Sequence, residues 1–148
     1  MTHKIIISVP HSGTRFLKKR LGIEQHVHAN ANWLKLVEDI GDKQIIAPLR
    51  SPESVWRSWC RRRHSDDLTN WVAQFFASWF VLHALDQLYD IDYICVDKRE
   101  DSRITDWTKV GDQDENHGQW KLHKVDLRPL FKLPLVQKHY SSWAKPVK

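Results

Sequence analysis

The stretch that decides the fold is IIISVPHSGTRFLKK, residues 5–19. Three consecutive isoleucines and a valine predict a strand over 4–9 that is buried on both faces, as in a parallel sheet. A polar cluster over 11–14 then ends the apolar run, and the basic segment after it predicts a helix over 14–21 that stops at Gly22. A strand, a tight loop and a helix in this order form an anion site, because the first N–H groups of a helix lack intrahelical partners.

The loop between strand and helix differs from the common nucleotide-binding loop, since the pattern G-x-x-x-x-G-K-[ST] is absent. Its one glycine, Gly13, lets the backbone approach a ligand closely. Ser12 and Thr14 offer hydroxyl donors, and Arg15 offers a permanent cation. The alternative is an ordinary strand-to-helix turn with a Ser or Thr cap, and this stretch alone leaves both interpretations open.

A second strand, turn and helix follow in QIIAPLRSPESVWRSWC, residues 44–60. The pattern predicts a strand over 44–49 and a helix from Pro52 to about residue 63, with Ser51 as its N-cap. Arg50 then lies at the carboxyl end of a strand, where ligands bind in open parallel sheets, and an Arg can hold a phosphate through two parallel N–H groups. Ser58, two turns into the helix, adds a hydroxyl if a ligand lies along that helix.

The rest of the chain predicts an α/β fold in a single domain, because strands that alternate with helices favour a parallel sheet covered on both faces. The segment 26–32 is predicted as a polar loop, with the option of a short strand before it. Beyond residue 100 the pattern weakens to polar chain and then an extended tail over 125–148 with at most one short helix. Three further elements are predicted: helices over 33–40 and from residue 68, capped by Asp66 or Asp67, and a strand over 92–96.

Composition narrows the function classes. The 148 residues carry a formal net charge of +5, which favours an anionic partner. No apolar run reaches the roughly 18 residues of a membrane span, and the N-terminus lacks a signal-peptide pattern, so we expect a soluble cytoplasmic protein with no membrane partner. Cys60 and Cys95 stand in apolar context and are predicted to be buried free thiols. Eight tryptophans exceed what so small a core can bury, and we expect some of them to line a ligand cleft.

The two strand–loop–helix motifs resemble those of the sulfotransferase family, whose members use 3′-phosphoadenosine 5′-phosphosulfate (PAPS). The family holds the 5′-phosphosulfate in a Pro-x-Ser-Gly-Thr loop, to which VPHSGTRFL is similar at Pro10, Ser12, Gly13, Thr14 and Leu17. It holds the 3′-phosphate with an Arg and a Ser at the second motif, to which LRSPESVWRS is similar at Arg50 and Ser58.

The resemblance extends to two further places and covers about residues 4–100. The family carries a catalytic His after a short strand between the two motifs, and HVHAN offers His28. DYICVDKRED resembles a later family strand that leads into an acidic turn, here Asp97. The implied fold is three-layer α/β/α with a small parallel sheet, similar to that of P-loop NTPases, in one domain over 1–148. Residues 101–148 would supply a cofactor-covering loop and a tail.

The implied activity is sulfuryl transfer from PAPS to a hydroxyl or amine of a small-molecule or glycan acceptor, which yields 3′,5′-adenosine bisphosphate (PAP) without a metal. His28 would take the acceptor proton, since a reference pKa of about 6.5 suits a base near neutrality. The family usually has Lys where this chain has His11, so protonated His11 or Arg15 would stabilise the leaving phosphate. The candidate catalytic residues are His28 and His11, and the candidate cofactor-binding residues are Pro10, His11, Ser12, Gly13, Thr14, Arg15, Phe16, Arg50, Ser58, Lys109 and Trp120.

Several alternatives stay open. The family's third cofactor segment appears only as the fragments TKVGD and HGQWK, which supply Lys109 and Trp120. A chain with such departures could bind PAP or PAPS without catalysis. A basic nucleic-acid-binding module is disfavoured, because the basic residues are spread along the chain and no RNP, KH or zinc pattern appears. His26 is the rival of His28 as base, and the two together lack a third ligand for a metal.

Overall fold

The protein is described from a computed structural model, which covers residues 3–30, 32–62, 68–108 and 121–140. Four strands and five α-helices alternate along these residues, and a 3₁₀ turn over Leu130–Lys132 precedes the last helix. In chain order the elements are β1 Lys4–Ser8, α1 Thr14–Leu21, β2 His26–His28, α2 Trp33–Ile40, β3 Gln44–Leu49, α3 Pro52–Arg62, α4 Leu68–Leu88, β4 Ile91–Cys95 and α5 Pro134–His139.

The strands form one parallel sheet in the order β2-β1-β3-β4. The chain leaves β1 for its neighbour β2 and then crosses back to β3 on the other side of β1. The gap between β1 and β3 is therefore the topological switch point, outside which ligands bind in open α/β sheets. The segment after β1 is the loop over 9–13, and the segment after β3 is Arg50 and Ser51, so both predicted anion motifs lie at this point.

Helices and chain cover both faces of the sheet, which gives the three layers predicted from the sequence. One face includes Ile6, Ile46 and Ile94 and packs on α1 and on the segment after β4. The other face, which includes Ile45, packs on α3, α4 and α5. This second core contains Trp56, Trp59 and Trp79, which are at most 3% exposed, and Trp71 is also buried, so these four of the eight tryptophans do not line an open cleft.

The structure moves some predicted boundaries. The segment predicted as a polar loop begins with strand β2, because His26–His28 pair with Ile6–Ser8. The predicted tail contains α5, whose Leu135 and Val136 are buried in the core. Cys60 is buried and Cys95 half-buried, and both are free thiols. Within the described ranges, no helix has the length and apolar character needed to cross a membrane.

Candidate anion-binding site

The loop over 10–13 adopts an unusual backbone. His11 has φ of 70° and Gly13 has φ of 104°, both in the left-handed region. Two hydrogen bonds hold the loop in place. The indole N–H of Trp59 donates to the Pro10 carbonyl at 2.9 Å, and the Ser12 N–H donates to the Val9 carbonyl at 3.3 Å. Pro10 has no N–H group and that of Ser12 is bonded to Val9, so the concavity that this turn forms offers an anion at most the N–H groups of His11 and Gly13.

The first turn of α1 continues this concavity. The Leu17 N–H donates to the Gly13 carbonyl at 3.0 Å and is the first donor within the helix, so the N–H groups of residues 14–16 precede the ladder. No side chain caps this end, and no acidic residue lies in the first turn. The positive end of the helix dipole is therefore uncompensated by protein carboxylates in its own first turn.

The structure brings the second motif into contact with the first. Nη1 of Arg50 donates to the backbone carbonyl of His11 at 3.2 Å. Nδ1 of His11 lies 3.2 Å from Oγ of Ser58, and either atom can donate depending on the imidazole tautomer. Ser58 is buried, so this contact is shielded from water. Residues that are 47 positions apart thus share one cluster at the switch point.

Two predicted hydroxyl donors have partners within the fold instead. Oγ of Ser12 donates to the Val9 carbonyl at 2.5 Å, and Oγ1 of Thr14 lies 2.5 Å from Oγ of Ser8. Both side chains are buried, because the loop folds back onto the end of β1. These hydroxyls are therefore engaged within the fold, which leaves the N–H groups at the start of α1 as the donors for the expected anion.

Gly13 and Phe16 also contribute to the packing of the core. A Cβ at Gly13 would lie 3.2 Å from a methyl carbon of Val96, so the glycine is required by the core and by its positive φ. Gly13 therefore has a packing role that its sequence context does not indicate. Phe16 is buried and stacks on Trp107 with ring centroids 5.7 Å apart, so it can reach an anion only through its N–H group. Arg15 is exposed at the same turn.

The second motif is braced by residues from the C-terminal part of the chain. Oγ of Ser51 accepts from the Ser54 N–H at 3.3 Å, which confirms Ser51 as the N-cap of α3. Asp97 accepts from the Ser51 N–H and from the Tyr140 hydroxyl, each at 2.9 Å. Burial, followed by the neighbouring Cys95 and Asp97, raises the pKa of Tyr140 well above its ordinary value. Sequence reasoning missed Tyr140, since nothing local marks it.

The structure distinguishes His28 from His26. His28 is paired with Ser8 and His26 with Ile6, so His28 alone lies at the carboxyl edge of β2, level with the end of β1. The Ala29 N–H donates to the Ser8 carbonyl at 2.7 Å and fixes this register. Both histidines are exposed, with ring centroids 6.3 Å apart. His28 is therefore the histidine beside the loop over 10–13, which we call the anion loop.

Lys109 and Trp120 lie outside the described residues. Among the residues that are described, no three His, Cys, Asp or Glu side chains form a metal-binding group. A cleft of about 710 Å³ lies at the amino ends of β3 and β4, away from the loop.

Comparison of the chain with models of known protein families, with curated proteins and with solved structures finds no match. The candidate site is therefore judged on its own geometry.

Proposed function

We propose that this protein transfers a sulfuryl group from PAPS to a hydroxyl or amine acceptor and releases PAP. The observation that carries the proposal is the meeting of the two motifs at the switch point, through the contacts of His11 with Ser58 and Arg50. PAPS carries two separate anionic groups. A site with two adjoining anion-binding motifs suits such a ligand better than it suits a nucleotide with phosphates at one position only.

Each of the two motifs is assigned to one of the two anionic groups of PAPS. The loop over 10–13 and the first turn of α1 would bind the 5′-phosphosulfate, through the N–H groups of residues 14–16 and with Arg15 as the cation. Arg50 and Ser58 lie beside this loop and would bind the 3′-phosphate, with the guanidinium forming the charge-assisted contact. The formal net charge of +5 adds a general attraction for a ligand of this charge.

Transfer follows the logic of phosphoryl transfer, with in-line displacement through a loose transition state. The acceptor oxygen or nitrogen forms a bond to sulfur while the bond from sulfur to the bridging phosphate oxygen breaks. Neutral His28 takes the acceptor proton. The electron pair of the broken bond remains on the 5′-phosphate of PAP, whose new charge the α1 N–H groups and Arg15 stabilise. Protonated His11 would add to this stabilisation.

The test compares ligands that differ in the 3′-phosphate. PAP should raise the melting temperature more than AMP or ATP does, because ligand bound to the native state stabilises it by mass action. Arg50→Ala should remove about 2–3 kcal/mol of PAP binding free energy and most of this difference. Arg57→Ala is the matched control, since Arg57 is an exposed cation on α3. Equal shifts with AMP and PAP, or equal losses in the two variants, would contradict the assignment.

Catalysis is tested separately from binding. The protein is incubated with sulfur-labelled PAPS and a mixed library of hydroxyl and amine acceptors, and the products are read by mass spectrometry. A labelled product together with released PAP supports transfer. Tight PAP binding with no labelled product would instead support a nucleotide-binding protein without catalysis.

A further inference from the structure

Strand β2 carries a polar shelf at the edge of the sheet. In the parallel pair β1·β2, His26 is level with Ile6 and His28 with Ser8, so these four side chains share one face of the sheet. Ser8 contacts the first residue of α1, which places α1 on that same face. Helix α1 leaves both histidines exposed. An edge strand of a three-layer fold normally buries apolar side chains here, and this one presents two imidazoles.

The orientation of α1 shows which of its side chains border the shelf. Leu17 packs on the sheet, while Phe16 and Arg20 contact the chain after β4, at Trp107 and Asp106. With 3.6 residues per turn, Lys18 then projects from the opposite flank, toward β2, while Arg15 and Lys19 lie on the outer surface of the helix.

The burial of α1 agrees with this orientation. Lys18 is half-buried, as expected for the flank, and Arg15 and Lys19 are exposed, as expected for the outer surface of the helix. We define the β2 shelf as His26, His28 and Lys18.

The cation of the shelf, Lys18, lies in the last turn of α1, where a positive charge favours the helix dipole, and it is repelled by Arg15 one turn earlier. Arg20, by contrast, is 3.4 Å from a carboxylate oxygen of Asp106. No ion pair within 4.0 Å joins Arg15 or Lys18 to a carboxylate of any described residue. The nearest acid in sequence, Glu24, precedes the amino end of β2 and is farther from the anion loop.

We propose that the β2 shelf is the acceptor site and that the acceptor is itself an anion, with a carboxylate or similar group near the hydroxyl that is sulfated. This inference rests on the proposed function for the role of His28. With the hydroxyl at His28, the anionic group lies against Lys18. Because His28 lies at the carboxyl end of β2, level with the end of β1, this arrangement presents the hydroxyl to the phosphosulfate bound at the loop over 10–13.

The test uses two probes that differ only at C6 of the sugar, 4-nitrophenyl β-D-glucuronide with a carboxylate and 4-nitrophenyl β-D-glucoside with a neutral hydroxymethyl group. Binding of each is measured by calorimetry on protein saturated with PAP, so that the anion loop is already occupied. We expect the glucuronide to bind at least fivefold more tightly than the glucoside. Lys18→Gln should remove most of that preference, and higher ionic strength should weaken it.

Lys19→Gln is the matched control, because Lys19 is one residue away on the same helix but faces solvent. It should retain the preference for the glucuronide. Equal affinity for the two probes, binding of neither, or equal losses in the Lys18 and Lys19 variants would each overturn the inference. These outcomes do not depend on turnover, and the comparison of PAP with AMP remains a separate test of the proposed function.

Discussion

The contact between Tyr140 and Asp97 gives a prediction whose size follows from the structure. Tyr140 is 2% exposed and donates its hydroxyl hydrogen to Oδ1 of Asp97 at 2.9 Å. Tyr140→Phe keeps the ring in place and removes this hydrogen bond, together with the contact of the same hydroxyl with Cys95. A hydrogen bond to a charged group contributes about 1.5–3 kcal/mol. Asp97 is exposed, so water replaces the lost donor and the cost lies near the lower end, about 1.5 kcal/mol.

This loss should appear as a lower melting temperature. For a chain of this size, 1 kcal/mol corresponds to about 2–4 °C, so Tyr140→Phe should lower the midpoint by about 3–6 °C. Tyr89→Phe serves as the control, since Tyr89 is half-buried and no hydrogen bond of its hydroxyl is among the contacts of the described residues. A double-mutant cycle with Asp97→Ala isolates the pair. A coupling energy near zero, or an equal loss in the Tyr89 variant, would refute the reasoning.

Three further predictions test other parts of the molecule. His28→Ala should leave PAP affinity within a few fold and reduce turnover by about 10²–10⁴, while His26→Ala reduces it far less, as measured with an identified acceptor. Burial, followed by Lys138 and Lys98, lowers the pKa of His139. The unfolded chain then binds a proton near pH 6.5 that the folded chain does not bind, so stability is full above that pH and falls below it by at most about 1.4 kcal/mol per pH unit. Urea unfolding should show this loss in the wild type and not in His139→Asn. Gly13→Ala should destabilise by about 1–2 kcal/mol and by more than Gly22→Ala, because both glycines have positive φ but nothing lies within 4 Å of a Cβ at Gly22; an equal cost would contradict the role of Val96.

The elements that the sequence predicted well are those whose cause is local. Helix α1 begins at Thr14 and ends before Gly22 as expected, because its apolar spacing and its terminating glycine lie within a few residues. Strand β3 and the cap at Ser51 agree for the same reason. Strand β2 was predicted as loop, since three residues with two histidines carry no apolar pattern and only pairing with β1 makes them a strand.

The same distinction between local and long-range causes applies to the candidate site. The positions of both motifs at strand ends were predictable from the sequence, because each motif is continuous. Their mutual contact was not, since it depends on which strands become neighbours. The inward bonds of Ser12 and Thr14 were also missed, because a hydroxyl in a polar loop looks the same in sequence whether it faces a ligand or the backbone.

His11 connects the two halves of the candidate site, which are the loop over 10–13 and the second motif at Arg50 and Ser58. Its carbonyl accepts from Arg50 and its ring contacts Ser58, so both proposed 3′-phosphate ligands touch the residue that stands in the 5′-phosphosulfate loop. The resemblance leads us to expect Lys here, but a Lys side chain has no acceptor and its flexible stem could not hold Ser58 as a ring nitrogen does. The His ring also lies against Trp59, with ring centroids 5.5 Å apart, and Trp59 itself supports the Pro10 carbonyl. Relative to the pattern that the chain resembles, His11 therefore exchanges a permanent charge for a fixed connection. Under the proposed function, the charge needed during transfer would come from Arg15, from the α1 N–H groups, or from protonation of this ring.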